Sequence, residues 1–208
     1  MASFITLEGG EGAGKSTQVA LLADALVALG LPVLRTREPG GAPGAETLRG
    51  LLLGGSEWSP LAETLLHFAA RAEHIAKTIR PALDAGMWVI CDRFYDSTMA
   101  YQGYGQGVDR GVIASLIGHL GIIPDLTLVL DVSDEVAVKR RVLRGGATDR
   151  YERLDAAFHA RVRQGFREIV VAEPARCVLL PADESREGVH AAIMRVMRER
   201  LSFPPQVT

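Results

Sequence analysis

The run Gly9-Gly10-Glu11-Gly12-Ala13-Gly14-Lys15-Ser16, continued by Thr17, carries the residue types that hold a phosphate chain. Glycines let the backbone bend until its N–H groups converge on an anion. A lysine supplies positive charge for the β- and γ-phosphates, and the serine hydroxyl is placed to ligate Mg²⁺. The run satisfies G-x-x-x-x-G-K-[ST] with the right surroundings: apolar FITLE precedes it and helical KSTQVALLADAL follows. A helix starting at Lys15 directs the positive end of its dipole to the same point. These residues predict binding of a nucleoside triphosphate with Mg²⁺. Glu11 is the discordant member, because bound phosphates repel a carboxylate; it either meets a hydroxyl of a second substrate or points to solvent.

A second set of charged residues stands where apolar runs end. WVIC runs into Asp92-Arg93-Phe94, and a carboxylate at a strand's C-terminal end lies at the crevice where ligands bind in open α/β sheets. Asp92 is a candidate for the metal shell, and Arg93 beside it points to a second anion. Asp131, at the end of LTLVLDV, competes for the metal role, with Ser133 and Asp134 the better caps for the helix that follows. Thr36-Arg37-Glu38-Pro39-Gly40-Gly41 closes another strand with a rigid turn, and Arg49 follows on the next helix. Phe68 and Arg71 are three residues apart, so they share a helix side and could offer a ring and a guanidinium to a base and its phosphate. The stretch from Lys139 to Tyr151 combines arginines with a Gly-Gly break, which suits a mobile basic segment closing over a triphosphate.

The elements that position these residues alternate in type. Strands are expected at 3–8, 32–36, 88–91, 126–130 and 177–180, and helices at 15–29, 45–53, 61–85, 112–120, 135–143, 154–172 and 185–201. Strands separated by helices imply βαβ units, hence a parallel sheet covered on both faces, in an α/β chain that reads as one domain over 1–208. In the long helix, Leu61, Leu65, Phe68, Ala72, Ile75 and Ile79 recur at spacings of three and four, the pattern of a buried stripe.

Composition narrows the class. With 208 residues, 48% of them hydrophobic, the chain can bury a sizeable core, and a net charge of −2 offers no broad surface for nucleic acid or anionic membrane. Asparagine is absent, which removes the Asn-Lys-x-Asp guanine-reading motif of GTP switches. The five histidines match no metal spacing, and no nucleophile-elbow sequence supports hydrolase chemistry. Cys91 and Cys177 stand alone in apolar runs, as free thiols of a reducing compartment do. No segment has the length and apolarity of a membrane span, and the first residues lack a signal peptide's pattern, so a cytoplasmic location is expected.

Taken together, GGEGAGKS, TREPGG, DRFYDSTMAYQG and PDLTLVLDV with the arginine-rich segment ending in DRYE resemble the bacterial thymidylate kinases over essentially the whole chain. The resemblance implies a P-loop kinase fold: three layers α/β/α, a five-stranded parallel sheet, and a mobile arginine-rich lid at roughly 140–152, with 203–208 a frayed tail. It implies transfer of the ATP γ-phosphate to dTMP, with Mg²⁺ held by Ser16 and with Asp92 in the metal's outer shell. ATP would lie on Gly9 to Thr17 and against Arg140. Lys15, Arg93, Arg144 and Arg150 would act on the transferring phosphoryl group. For dTMP it implies Phe68 stacked on thymine, Arg71 and Gln102 on the base edge with Ser97 or Thr98 nearby, and Arg93 on the monophosphate. Glu38, Pro39 and Arg49 would line the same pocket, with Tyr101 against the sugar and Glu11 at the 3′-OH. The partners implied are these nucleotides and a second copy of the chain. One departure stands out: relatives often read YQG-G-G-R-G where this chain has Tyr104 and Gln106, so hydrogen bonding by Gln106 could replace a missing arginine near the monophosphate.

Overall fold

The computed structural model describes residues 2–54, 57–145, 151 and 153–202. Five strands form one parallel sheet: β1 (Phe4–Gly9), β2 (Val33–Arg37), β3 (Trp88–Asp92), β4 (Leu126–Asp131) and β5 (Cys177–Pro181). Their order is β2-β3-β1-β4-β5. β1, FITLEG, is buried along its whole length, as a central strand covered on both faces must be. Leu7 pairs with Asp92 of β3 and Gly9 with Leu130 of β4, so the phosphate loop and Asp92-Arg93 leave neighbouring strands at the same edge. The connections of β1 and β3 depart to opposite sides, which opens a crevice between their carboxyl ends.

Alternating side chains fill two layers. Ile5, Leu7, Ile90, Leu126, Leu128 and Leu130 face α1 (Lys15–Ala28) and α9 (Arg186–Arg200), which add Leu22, Leu26, Ile193 and Met197. On the opposite face, Phe4, Val89 and Cys91 pack with Ile75, Ile79 and Phe94. Val129 and Cys177 there pack with Tyr101 and with Phe158, Val162 and Phe166 of α8 (Ala156–Ala172). This is the P-loop kinase arrangement, each strand within one residue of its expected position.

The helices depart from expectation in three places. The helix expected over 61–85 is α3 (Pro60–His74), a π-helical turn (Ile75–Ile79) and α4 (Arg80–Asp84). Its apolar stripe is only partly inside: Leu61 and Leu65 are 49% and 48% exposed, and Ala72 is exposed too. The face turned inward is instead Glu63, Thr64, His67, Phe68, Ala70, Arg71 and His74. Helix α3 packs on α2 (Pro43–Leu53) and directs polar groups to the crevice, leaving much of its hydrophobic periodicity outward. Third, α5 (Tyr95–Thr98) continues into a π-helical segment (Met99–Gly105), where glycines and polar residues gave no helical period. α6 (Arg110–Gly118) and α7 (Asp134–Arg144) complete the set, α7 capped by Ser133 as expected.

Candidate active site

The loop after β1 is shaped by backbone that side chains would obstruct. A Cβ on Gly9 would lie 2.4 Å from the Leu130 carbonyl oxygen, and one on Gly12 would lie 2.6 Å from that of Ala137. Both glycines have positive φ. The N-terminus of α1 carries no side-chain cap and no acid in its first turn, whereas Asp109, Ser133, Asp155 and Ser185 cap α6, α7, α8 and α9. Its N–H groups are left for an anion. Lys15 is buried and donates to the carbonyls of Gly9 at 3.1 Å and Gly10 at 2.8 Å. Burial first, then the nearby Arg93 charge, lower its pKa. The Ser16 hydroxyl donates to Asp92 at 2.6 Å, so a hydroxyl and a carboxylate stand together beside the phosphate position. Magnesium is commonly held by one or two such oxygens plus phosphate oxygens and water, so this donor pair fits the ion.

Arg93 stands between the two ends of a continuous cleft of about 820 Å³. Its backbone has φ 70°, rare for a residue with a side chain and common where function over-determines conformation. Nη1 donates to the Gly9 carbonyl at 3.0 Å and Ser97 Oγ at 3.1 Å; Nη2 reaches the Tyr101 hydroxyl at 3.1 Å and pairs with Glu11. Burial opposes its charge, but Glu11, Tyr101, Asp92 and Glu8 together hold its pKa above the ordinary arginine value. Glu11 also accepts from the Tyr101 hydroxyl at 2.9 Å, so the discordant carboxylate of the phosphate loop is turned towards the cleft's far half. Behind Arg93, fully buried Glu8 accepts from the Phe94 N–H at 2.7 Å and the Ser97 hydroxyl at 2.5 Å, fixing the turn that carries the guanidinium.

The far half is assembled from side chains of several elements. Arg71 Nε donates to Glu38 at 2.6 Å, and its Nη2 donates at 3.1 Å to both Thr98 Oγ1 and the Phe94 carbonyl. Its Nη1 is buried and has no partner among the described residues, on a side chain that lines the cleft. Glu38 is held from behind by His74 Nδ1 at 3.0 Å, and the other ring nitrogen of His74 meets Thr36 Oγ1 at 2.7 Å. The Phe68 ring lies 5.0 Å from the Arg71 guanidinium, buried beside it rather than lining the cleft. Gln102 lines the cleft, while its Nε2 donates to Glu63 at 2.7 Å and to the Tyr151 hydroxyl at 3.2 Å. Arg49 donates to the Pro39 carbonyl at 2.6 Å, and both residues line the same volume.

Most residues expected at the site therefore converge: Glu11 to Thr17, Glu38, Pro39, Arg49, Arg71, Asp92, Arg93, Ser97, Thr98, Tyr101, Gln102 and Arg140 share one cleft. Gly9 and Gly10 instead border a smaller cavity of about 110 Å³ behind the loop. Arg140 donates to the Glu184 carbonyl at 3.1 Å, beside Ser185 and Arg186. Arg150, positions 146–149 and 152 of the expected lid, the Arg144 side chain and the tail 203–208 lie outside the described residues. Asp131 is taken up by Arg163 at 2.7 Å and Arg167 at 2.7 Å and does not line the cleft, whereas Asp92 meets Ser16 there. Gln106 does not stand in for an arginine at the monophosphate: its Nε2 donates to Glu63 at 3.1 Å, outside the cleft lining. Gln18, Glu63, His67, His74 and the 184–186 turn carry no sequence motif; only the three-residue offset of His74 from Arg71 hinted that they share a face.

A family model described as thymidylate kinase matches residues 7–193. The thymidylate kinase of Caulobacter vibrioides is 52% identical over 204 residues, covering 96% of this chain and 98% of that one. The thymidylate kinase of Gluconobacter oxydans is 52% identical over 205 residues, covering 96% and 95%. Among solved structures, a crystal structure of thymidylate kinase from Ehrlichia chaffeensis superposes with a TM-score of 0.80 at 36% identity, covering 94% of this chain and 98% of that chain.

Proposed function

The chain belongs to the thymidylate kinase family, and from that premise we propose how its cleft transfers the γ-phosphoryl group of ATP to dTMP, giving ADP and dTDP. The carrying observation is the single cleft of about 820 Å³, walled at one end by the phosphate loop and at the other by Arg71 and Gln102, with Arg93 between them. A regulatory ATPase has no use for the second half. ATP lies with its phosphates on residues 9–17 and its base near Arg140 and the 184–186 turn. Ser16, with Asp92 beside it in the outer shell, would hold Mg²⁺, which would neutralise phosphate charge. Phosphoryl transfer leaves little covalent work to the protein, so positioning and charge dominate. Arg93 holds the dTMP phosphate in line with the γ-phosphorus, and Lys15, with arginine from the 140–152 segment, stabilises the charge that develops between them. Glu11 accepts from the sugar 3′-OH, and Tyr101 packs on the sugar.

At the base, hydrogen-bond polarity supports thymine. Arg71 Nη1 is a buried donor with no partner among the described residues, on a side chain that lines the cleft, and would donate to a base carbonyl such as O4. Gln102 has its nitrogen occupied, which leaves its carbonyl oxygen to accept from the thymine N3–H. Cytosine presents the reverse pattern at both atoms. The test is ADP release from Mg·ATP with dTMP, dUMP, dCMP, dGMP, AMP or no acceptor. Release that requires an acceptor and is greatest with dTMP supports the reading; release without acceptor sinks it.

Leu51, Leu61 and Leu65, each close to half exposed on the paired helices α2 and α3, fit a face covered by a second copy of the chain. Sedimentation of the wild type as a dimer, and of Leu65→Glu as a monomer, is the expected result. No described helix is long and apolar enough to cross a membrane, and the buried free thiols Cys91 and Cys177 suit the reducing cytoplasm.

A further inference from the structure

Glu63 has no part in the reaction outlined above, yet it is fully buried at the edge of the acceptor pocket. Its Oε1 accepts from Gln102 Nε2 at 2.7 Å, from the Tyr151 hydroxyl at 2.5 Å and from Gln106 Nε2 at 3.1 Å. An oxygen that takes three donors at once serves as an acceptor. Any primary amide that meets it must present the NH₂ end. For Gln102 this settles an otherwise two-fold choice, because a glutamine side chain turned by 180° fills the same volume with oxygen and nitrogen exchanged. Tyr151 strengthens the choice. Its hydroxyl donates to Glu63 and accepts the second N–H of Gln102, at 3.2 Å. Gln106 shows how strongly donors are drawn to this oxygen: it too turns its nitrogen to Glu63, leaving its own buried Oε1 without a partner among the described residues.

We infer that Glu63 is a specificity-determining positioning residue. By holding the amide nitrogen of Gln102 it fixes a hydrogen-bond acceptor in the base pocket, which selects pyrimidines with an N3–H imide, thymine or uracil, over those whose ring nitrogen is itself an acceptor, such as cytosine. The inference rests on the reading of Gln102 as a residue that meets the base. A glutamine at position 63 would not serve equally, since it could offer either end to Gln102. A methionine would offer neither. Tyr151 lies within the expected lid, and the same carboxylate holds its hydroxyl beside the base pocket.

The test compares kcat/KM for dTMP, dUMP and dCMP with Mg·ATP in the full-length enzyme, as wild type, Glu63→Met and Glu63→Gln. A purely structural role for Glu63 lowers all three acceptors alike. The inference expects the dTMP-to-dCMP ratio to fall at least about tenfold in Glu63→Met, the worth of one well-placed hydrogen bond. The dTMP-to-dUMP ratio stays unchanged, because both share the imide. At saturating dTMP, kcat stays within about threefold of wild type, since Lys15 and Arg93 are untouched. Glu63→Gln is expected to lie between the two. Should Glu63→Met fail to fold by circular dichroism, Glu63→Gln decides alone. An unchanged dTMP-to-dCMP ratio in a folded variant overturns the inference while leaving the Gln102 reading intact. A wild type that does not prefer dTMP to dCMP removes the Gln102 reading, and this inference with it.

Discussion

On the function proposed above, the two halves of the cleft bind phosphate-bearing ligands by different means. The ATP half is a backbone device: consecutive residues, glycines at positive φ, the uncapped start of α1, and a single lysine folded back on the loop. The dTMP half is a side-chain device, in which each group that meets the ligand is held by another behind it. Glu8 holds the turn of Arg93, Glu38 holds Arg71, His74 holds Glu38, and Glu63 holds Gln102. A triphosphate looks the same on every nucleotide, so main-chain N–H groups suffice for it. A base must be told from other bases, which takes donors and acceptors of fixed polarity, and in a buried pocket that polarity has to be set by partners.

The sharpest way to break this contrast is a pair of substitutions read on both substrates. Lys15→Met removes the charge that serves the transferring group, and the expected loss is roughly a thousandfold in kcat with every acceptor alike. Arg93→Ala is expected to cost about a hundredfold in kcat/KM for dTMP, chiefly through KM, with the KM for ATP moved by no more than about threefold. Steady-state kinetics with each substrate varied in turn checks both. Equal effects of Arg93→Ala on the two KM values would remove it from the monophosphate.

The same contrast decides what a reader of the sequence can see. The phosphate loop is legible because its function is written in adjacent residues, and the strands because their apolar runs are continuous. The dTMP half is scattered over the ends of β2 and β3, over α3 and α5 and over the π-helical segment; residue type and spacing single out Arg93, Phe68 and Arg71, and resemblance to a family joins them with Tyr101 and Gln102 in one pocket. Of the supporting groups only Glu38 was named; Glu8, His74 and Glu63 escaped. Glu63 and Gln18 are single polar residues inside helices, where a solvated surface position is the ordinary expectation. Helix α3 misled for the same reason: its apolar period predicts which face is hydrophobic, whereas the crevice demanded that Glu63, Arg71 and His74 point inward and left Leu61 and Leu65 out.

Within the dTMP half, the depth of the supporting layer can be measured at Glu38. Arg71 is buried, and its close ionic partner is Glu38, at 2.6 Å. Glu38→Gln keeps the shape and removes the charge. The expected result is a loss of about 3 kcal/mol in unfolding free energy, the cost of a buried pair broken on one side. A rise of about tenfold in the KM for dTMP should accompany it, with the KM for ATP unchanged. Chemical denaturation and kinetics check the two together. A variant as stable as wild type would mean that Arg71 keeps its place without the carboxylate.

The smallest effect on activity, and the most telling about the architecture, is expected at Glu8. Burial, and then the charge of Asp96, raise its pKa to about 7, despite the hydrogen bonds from Ser97 and Phe94. In the unfolded chain the group titrates near 4.5. Between those values the unfolded state has released the proton and the folded state still holds it, so protons favour the fold and stability falls as pH rises from about 4.5 to 7. The full span is on the order of 3 kcal/mol, and above pH 7 it is lost entirely. Glu8→Gln does not titrate. It can still accept from the Phe94 N–H and donate to the Ser97 hydroxyl, so the turn that carries Arg93 keeps its supports. Unfolding free energies measured from pH 5 to 8 should therefore diverge, the variant gaining on the wild type as pH rises, with kcat/KM for dTMP altered only severalfold. Parallel pH profiles would show that Glu8 is ionised in the fold throughout, and that Arg93 is held by charge from behind rather than by the geometry of the turn.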